Sequence, residues 1–369
     1  MTRLEAFFDF GISAFYVKII LSFIFTFLIC FYSTPSIIRI SKLKNLMDLP
    51  GERSVHQNKI PNLGGVTIFY AIGICASIFA YELFDIYKFL FSSLLILLYV
   101  GVMDDIIVIK VRKKFLAQVL VSFLTVIGSD VRIKSMFGLF GIYELNYYVS
   151  VAFTIFSFVG LINAFNLIDG IDGLAGSYAI LSSFFFGISF LRLGSYYYPL
   201  VILSVIIVAS VLAFLHYNLS NYRSIKIFMG DTGSMILGFL LAFMAFCFID
   251  IFINKKDVET PKYHLMSAPI ISMAILILPI IDTLNVIIVR LRQKRLPFEA
   301  DRSHIHHKLL TLGLSHRMST FYILVYYVFV VLVAYFLRHL ENTTLLVVIL
   351  SLGFFGAYLP DIIKKMRKN

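Results

Sequence analysis

Long apolar runs, separated by short polar connections, occupy most of the chain. A helix that crosses a bilayer needs about 20 mostly apolar residues. On that criterion the pattern predicts about eleven spans. They fall near residues 15–34, 63–82, 88–103, 115–129, 147–166, 174–192, 197–216, 232–251, 267–290, 319–338 and 343–360, the third and fourth being short. The longest non-apolar stretches are 35–62 and 290–317, with no repeat, low-complexity tract or soluble domain between them. The expected fold class is all-α, a single polytopic integral-membrane domain over residues 1–369. Within the ninth run Pro279 should kink the helix, and Asp282 lies at membrane depth, where carboxylates are rare and either functional or paired.

Composition agrees. Of 369 residues, 60% are hydrophobic and only 14% charged, too apolar for a soluble domain of this size. There is no Trp, so any interfacial belt is Tyr and Phe. Cys30, Cys75 and Cys247 lie inside apolar runs and read as small core residues. Glu5 and Asp9 precede the first run in place of a basic segment, so a retained span is expected rather than a cleaved signal.

The net charge of +11 is unevenly placed. Loops after odd-numbered spans hold most of the loop lysines and arginines, among them Arg39, Lys42, Lys44, Arg53, Lys59, Lys110 to Lys114, Arg223, Lys226 and Arg290 to Arg317. The positive-inside rule then puts those loops and the C-terminus in the cytoplasm and the N-terminus outside. Every chemically suggestive cluster falls on that same side: Asp104-Asp105, Asn163 to Asp172, Gly230 to Ser234, and Arg290 to His307. Clusters without a common role would scatter between faces. One active site is therefore expected at the cytoplasmic surface, built from loops 35–62, 104–114, 163–173, 217–234 and 290–317.

The richest stretch is Asn163-Ala-Phe-Asn166-Leu-Ile-Asp169-Gly-Ile-Asp172-Gly-Leu174. Its four polar residues recur one helical turn apart, so they share a face if the helix continues. Amide and carboxylate oxygens suit a hard cation such as Mg2+, which commonly bridges substrate phosphates. Turn chemistry explains the residue types equally well, but not the spacing. Asp104-Asp105 closes the third span. Adjacent carboxylates repel in a low dielectric unless a cation is near, which suits a metal-facing or base-supplying pair as well as a solvated helix end. Gly230-Asp231-Thr232-Gly233-Ser234 opens the eighth span, where free backbone amides favour anions and where Asp or Thr also makes an everyday helix cap.

Arg290 and Arg292 match phosphate oxygens. His304-Ile305-His306-His307 has the donors for a transition metal, but only Asp301 would complete such a set, and phosphate binding suits the basic surroundings better. Arg53, His56 and Lys59 are candidates for a lipid phosphate.

Together these motifs resemble the polyprenyl-phosphate N-acetylhexosamine-1-phosphate transferases, of which phospho-N-acetylmuramoyl-pentapeptide transferase is a cousin. The likeness runs from Asp48 to His307 in the family's order. The His304 to His307 run is similar to the undecaprenyl-phosphate N-acetylglucosamine-1-phosphate branch. Pro61-Asn62 departs from the family, which more often has a basic residue after the proline, and Lys114 is the better-aligned lysine after Asp104-Asp105.

The resemblance implies that the phosphate of undecaprenyl phosphate attacks the β-phosphorus of a UDP-N-acetylhexosamine, most simply UDP-N-acetylglucosamine. UMP leaves, and a cell-surface polysaccharide is begun. It implies Mg2+, with Mn2+ as a substitute, on Asp231 and Asn166. Asp104 would orient or deprotonate the lipid phosphate. Asp105, Asp169 and Asp172 would complete the acidic site, Asp169 and Asp172 alternatively facing the nucleotide; direct attack by the lipid phosphate and a two-step route with Asp169 as nucleophile both stay open. Lys114, Asn163, Arg290, Arg292, His304, His306 and His307 would bind substrate. The place implied is the bacterial inner membrane. Partners implied are the two substrates and the bilayer, with a second copy of the chain left open and no nucleic acid. Competing readings are the same fold with UDP-N-acetylgalactosamine, a deoxy N-acetyl sugar or UDP-muramoyl-pentapeptide, and a secondary transporter. A transporter would show inverted repeats and a midplane site.

Overall fold

A computed structural model describes residues 12–48, 59–253, 265–294 and 303–367. Glu5, Asp9, Arg53, His56 and Asp301, named above, lie outside the described residues.

The chain is mostly helical. In order come α1 (Ile12–Leu43), α2 (Gly64–Phe79), α3 (Glu82–Ile86), α4 (Leu90–Ile107), α5 (Val111–Gly128), α6 (Tyr147–Ile168), α7 (Leu174–Leu191), α8 (Tyr198–Asn218) and α9 (Gly230–Ile251). After them come α10 (Ala268–Ile275), α11 (Ile277–Arg292), α12 (Ile305–Thr311), α13 (His316–Phe336) and α14 (Asn342–Met366). Each expected span coincides with helix. Eight helices among the described residues are long and apolar enough to cross a membrane, or nine if α10 and α11 form one broken span. The remaining two expected spans are weaker: α2 has only 16 residues, and α5 begins with Arg112, Lys113 and Lys114.

Two antiparallel ribbons, absent from the sequence expectation, accompany the helices. β1 (Met47–Asp48) pairs with β2 (Ile60–Pro61), and β3 (Ser135–Leu139) pairs with β4 (Ile142–Glu144) at the other end of the bundle.

Helix α9 is the axis. It is apolar all round, as a helix surrounded by others must be. Its most apolar window is 94% buried, against 22% for those of α1 and α14 at the periphery. It packs against α2, α4, α6, α7 and α10.

Prolines shape two helices, and the rest of the bundle satisfies what they disrupt. A proline leaves the carbonyl four residues earlier without its usual partner. Pro35 lies inside α1, which continues past the expected end of the first span, and the freed Phe31 carbonyl accepts the Tyr217 hydroxyl at 2.9 Å. Pro279 has a larger effect: α10 and α11 meet at a bend of 75°. There the freed Ile275 carbonyl accepts the hydroxyls of Tyr178 (2.8 Å), Tyr327 (3.0 Å) and Ser182 (3.3 Å). Hydroxyls from neighbouring helices do here what water does in a soluble protein.

Candidate active site

The site forms where α2, α4 and the loop before α9 touch backbone to backbone. Gly64 and Gly65 donate N–H groups to the carbonyls of Phe228 (3.0 Å) and Met229 (2.8 Å), and the Phe228 N–H donates to the Pro61 carbonyl at 2.8 Å. A Cβ on Gly65 would lie 2.0 Å from the Gly233 nitrogen, so only glycine permits this crossing.

The close approach sets Asp105 over the start of α9. Its Oδ1 accepts the Asp231 N–H at 2.7 Å, and its Oδ2 accepts the Thr232 N–H (3.1 Å) and hydroxyl (2.6 Å). Gly230 holds φ +71°, and a Cβ there would meet the Asn62 carbonyl at 2.0 Å. Asp105 therefore caps a helix from outside it. Both oxygens of Asp105, expected among the catalytic carboxylates, are thus engaged by donors at a helix N-terminus at the edge of the cavity that it lines.

Asp104, one residue earlier, points elsewhere. Its Oδ1 accepts the Ile109 N–H at 2.8 Å, and its Oδ2 meets the Lys114 ammonium at 3.1 Å. Lys114 also meets Asp231 Oδ2 at 2.5 Å. Asp231 Oδ1 accepts from Asn166, whose amide nitrogen also donates to Ser234 Oγ, each at 2.7 Å. Both Asn166 N–H groups are thus used, leaving its oxygen as the atom that suits a cation.

Helix α6 ends at Ile168, so the expected four-residue stripe is broken. Asn163 and Asn166 sit on the helix, while Asp169 and Asp172 belong to the turn that follows. Asn163 exchanges hydrogen bonds with Gln118 (2.6 and 3.3 Å) and does not line the cavity. These bonds join α6 to α5, so the structure places Asn163 beside the expected site and not on its wall.

Asp104, Asp105, Asp169, Asp172 and Asp231 all line one cavity of about 690 Å³. Their environments differ. Asp172 meets Lys226 at 2.5 Å and the His316 ring at 3.7 Å. Burial pushes its carboxyl up, but these two partners outweigh burial and hold it below the ordinary range. Asp169 has no hydrogen-bond or ion-pair partner among the described residues. Burial, then the charges of Asp231, Asp105 and Asp172, push it up to about 7. This carboxylate faces others with nothing to neutralise it, which is the feature a divalent cation would relieve. Acidic and amide oxygens without thiolates are the donor chemistry a hard cation such as Mg2+ takes, although among the described residues no three His, Cys, Asp or Glu side chains are already gathered as a metal-binding group.

The histidine run approaches from the other side. His307 lines the cavity. His306 lies on Gly170, where a Cβ would come 2.2 Å from its Nε2. Burial, reinforced by His307 and His304 against the charge of Asp282, presses the His306 imidazole down to about 3 and keeps it neutral. His304 sits behind, its ring 5.6 Å from that of His306. Arg290 is buried and Arg292 exposed, and neither belongs to the cavity wall, so the structure does not bring these two expected phosphate ligands to the site.

Sequence reasoning missed Lys226, His316 and Asn218 as site residues. Lys226 was counted only as loop charge, although it lies five residues before Asp231. His316 lies at the start of α13, at the end of the expected loop 290–317. Asn218 accepts the Gly173 N–H at 2.8 Å and donates to the Ile227 carbonyl at 3.0 Å, tying the acidic turn to the loop before α9. No spacing signal marks it, because one partner lies 45 residues earlier and the other is a backbone carbonyl, which any residue supplies.

Fold and cavity together define a polytopic membrane protein with a carboxylate-rich, lysine-bridged cavity at one end of its helices. Residues 87–249 match glycosyl transferase family 4. A relative from Bacillus subtilis (strain 168), "Probable undecaprenyl-phosphate N-acetylglucosaminyl 1-phosphate transferase", is 33% identical over 306 residues, covering 82% of this chain and 80% of its own. The undecaprenyl-phosphate alpha-N-acetylglucosaminyl 1-phosphate transferase of Escherichia coli (strain K12) is 29% identical, covering 80% and 77%. The decaprenyl-phosphate N-acetylglucosaminephosphotransferase of Mycobacterium tuberculosis (strain CDC 1551 / Oshkosh) is 28% identical, covering 84% and 79%. The chain belongs to glycosyl transferase family 4.

Proposed function

We propose that this protein transfers N-acetylglucosamine-1-phosphate from UDP-N-acetylglucosamine to undecaprenyl phosphate, releasing UMP, and so begins a cell-surface polysaccharide. The observation that carries the reading is the cavity itself: five carboxylates, one of them without a partner among the described residues, beside two lysines. Such a charge pattern suits a cation-bound diphosphate. It does not suit a neutral solute. The names of the three relatives agree with the donor and with a polyprenyl-phosphate acceptor.

In this reaction an oxygen of the lipid phosphate forms a bond to the β-phosphorus. The bond from that phosphorus to the bridging oxygen breaks, and UMP carries the electron pair away. Phosphoryl transfer depends on positioning and charge neutralisation more than on covalent chemistry. Asp231 and Asp169, with the Asn166 oxygen, would hold Mg2+, which supplies charge neutralisation on the diphosphate. Lys114, fixed between Asp104 and Asp231, supplies a positive charge at the same point. Asp104 orients the lipid phosphate. Lys226 and His316 keep Asp172 ionised and locked on the other side. His307 faces the donor with a neutral His306 behind it.

The cavity faces the cytoplasm of the bacterial inner membrane in this reading, because most loop lysines and arginines lie at its end of the helices. All eleven helical regions then span or enter the bilayer, with the N-terminus outside. The test is UMP release by purified protein given undecaprenyl phosphate, Mg2+ and one donor at a time. UDP-N-acetylglucosamine should support release that stops without lipid or with EDTA. Release only with UDP-N-acetylgalactosamine or UDP-muramoyl-pentapeptide would overturn the donor. Absence of both release and UDP-sugar binding would overturn the class.

A further inference from the structure

Asp282 is 1% exposed and stands six residues past the 75° bend, on the arm that leads to the cavity end. A lone carboxylate inside a span is unfavourable unless its oxygens are used. Here both are, and by one short segment. Oδ1 accepts the Ile305 N–H at 2.7 Å, and Oδ2 meets His304 Nδ1 at 2.7 Å. Ile305 is the first residue of α12, so Asp282 caps that helix from another helix. A carboxylate offers only acceptors, so His304 donates through Nδ1 and its tautomer is set.

The consequences reach the cavity through a stack of rings. His304 lies nearly parallel to His306 (5.6 Å, 14°), and His306 is 4.3 Å from His307. His306 rests on Gly170 and His307 faces the cavity. At the other end of the segment Lys308 is tied to Asp361 of α14 at 2.7 Å. The run is thus held at both ends, and its inner anchor is a residue within a span.

We infer that Asp282 is a positioning residue: it acts through His304 and the cap on α12 to hold His306 and His307 against the turn at Gly170. Its effect on turnover rests on the function proposed above. The Asp282–His304 pair follows the logic by which outer partners fix the tautomer and direction of working histidines.

The informative variant is Asp282→Asn. It keeps an oxygen for the Ile305 N–H and turns an NH2 group toward His304 Nδ1, so the cap survives while the tautomer must invert. We expect kcat/KM to fall about 10- to 100-fold, with the thermal unfolding midpoint little changed. In a His304→Gln background the same change should cost less than about threefold, since residues acting through one another are not additive. Diethyl pyrocarbonate labelling of the full-length protein, read by mass spectrometry, should be slow at His304 and His306 and faster in Asp282→Asn. Wild-type turnover in Asp282→Asn, an equal loss in both backgrounds, or unchanged labelling would each overturn the inference. If the wild type itself releases no UMP, the functional reading fails, and the labelling still decides whether Asp282 holds the histidine run.

Discussion

The two ends of the helix bundle carry the same residue types and use them differently. At the end away from the cavity, Glu82 meets Lys18 at 2.9 Å. Asp130 meets Arg132 (2.9 Å) and Lys134 (2.8 Å), and Lys134 reaches Asp250 at 3.0 Å. Asp130 feels burial, but Lys134 and Arg132 outweigh it and hold its carboxyl below the usual range. There, three carboxylates and three cations close on themselves and join helices. At the cavity end, five carboxylates meet two lysines and a histidine, and Asp169 is left with its carboxyl raised to about 7 by burial and its neighbours' charge. A self-balanced cluster holds a fold together, whereas an unbalanced one invites a ligand. The number of acidic residues distinguishes the two ends less than the share of them left uncompensated.

The comparison breaks most readily at Asp231. Asp231→Ala should lower UMP release by at least about 100-fold, measured at saturating donor, lipid and Mg2+. A residual rate above a tenth of wild type would remove Asp231 from the proposed centre. Next comes Asp169→Asn, which removes the uncompensated charge. The Mg2+ concentration giving half-maximal rate should rise by about tenfold or more, and an unchanged Mg2+ titration would place the cation elsewhere.

Asp105→Ala tests the helix cap. It leaves the N–H groups of Asp231 and Thr232 without their acceptor, and stability should fall by about 1–2 kcal/mol. Thermal unfolding in detergent reads this, with Asp105→Asn expected to be milder, and equal stability of all three proteins would refute the cap.

His306 gives a pH prediction. Its ordinary value of 6.5 is lowered to about 3 in the fold, so between those values the unfolded chain binds a proton that the folded chain does not. Stability therefore falls as pH drops through that window, by at most about 1.4 kcal/mol per pH unit from this group. His306→Gln should flatten the unfolding midpoint between pH 6.5 and 4 relative to wild type. An identical pH slope would mean that His306 is not buried neutral. The smallest effect belongs to the opposite end. Lys134→Met should leave UMP release within twofold of wild type, and a large loss of turnover there would erase the contrast between the ends.

Much of this was legible in the sequence. Apolar runs located every long helix, because a span must be continuously apolar whatever surrounds it. The clustering of Asp104, Asp169, Asp231 and His307 on one side followed from counting spans, and the structure places them around one cavity. The bend at Pro279 was legible too, from the chemistry of proline alone. The ribbon at Ser135–Leu139 was not, since five residues with one glycine give no strand signal. Nor was the end of α6 at Ile168, where a regular three-residue polar spacing runs on past the last helical turn.

By itself the sequence determined which segments form long apolar helices, which connections gather at one end of them, and which acidic, amide and histidine residues are available there. Tertiary structure alone decided how each is used. Asp105 became a cap because Gly65, Gly101 and Gly233 let three backbones close around Thr232. Asp172 became a locked ion because Lys226 and His316 arrive from distant loops. Asp282 became the anchor of His304, and Asp169 was left uncompensated. The reason is physical: the state of a carboxylate depends on burial and on charges within a few ångströms, and those neighbours are supplied by the fold rather than by adjacent sequence.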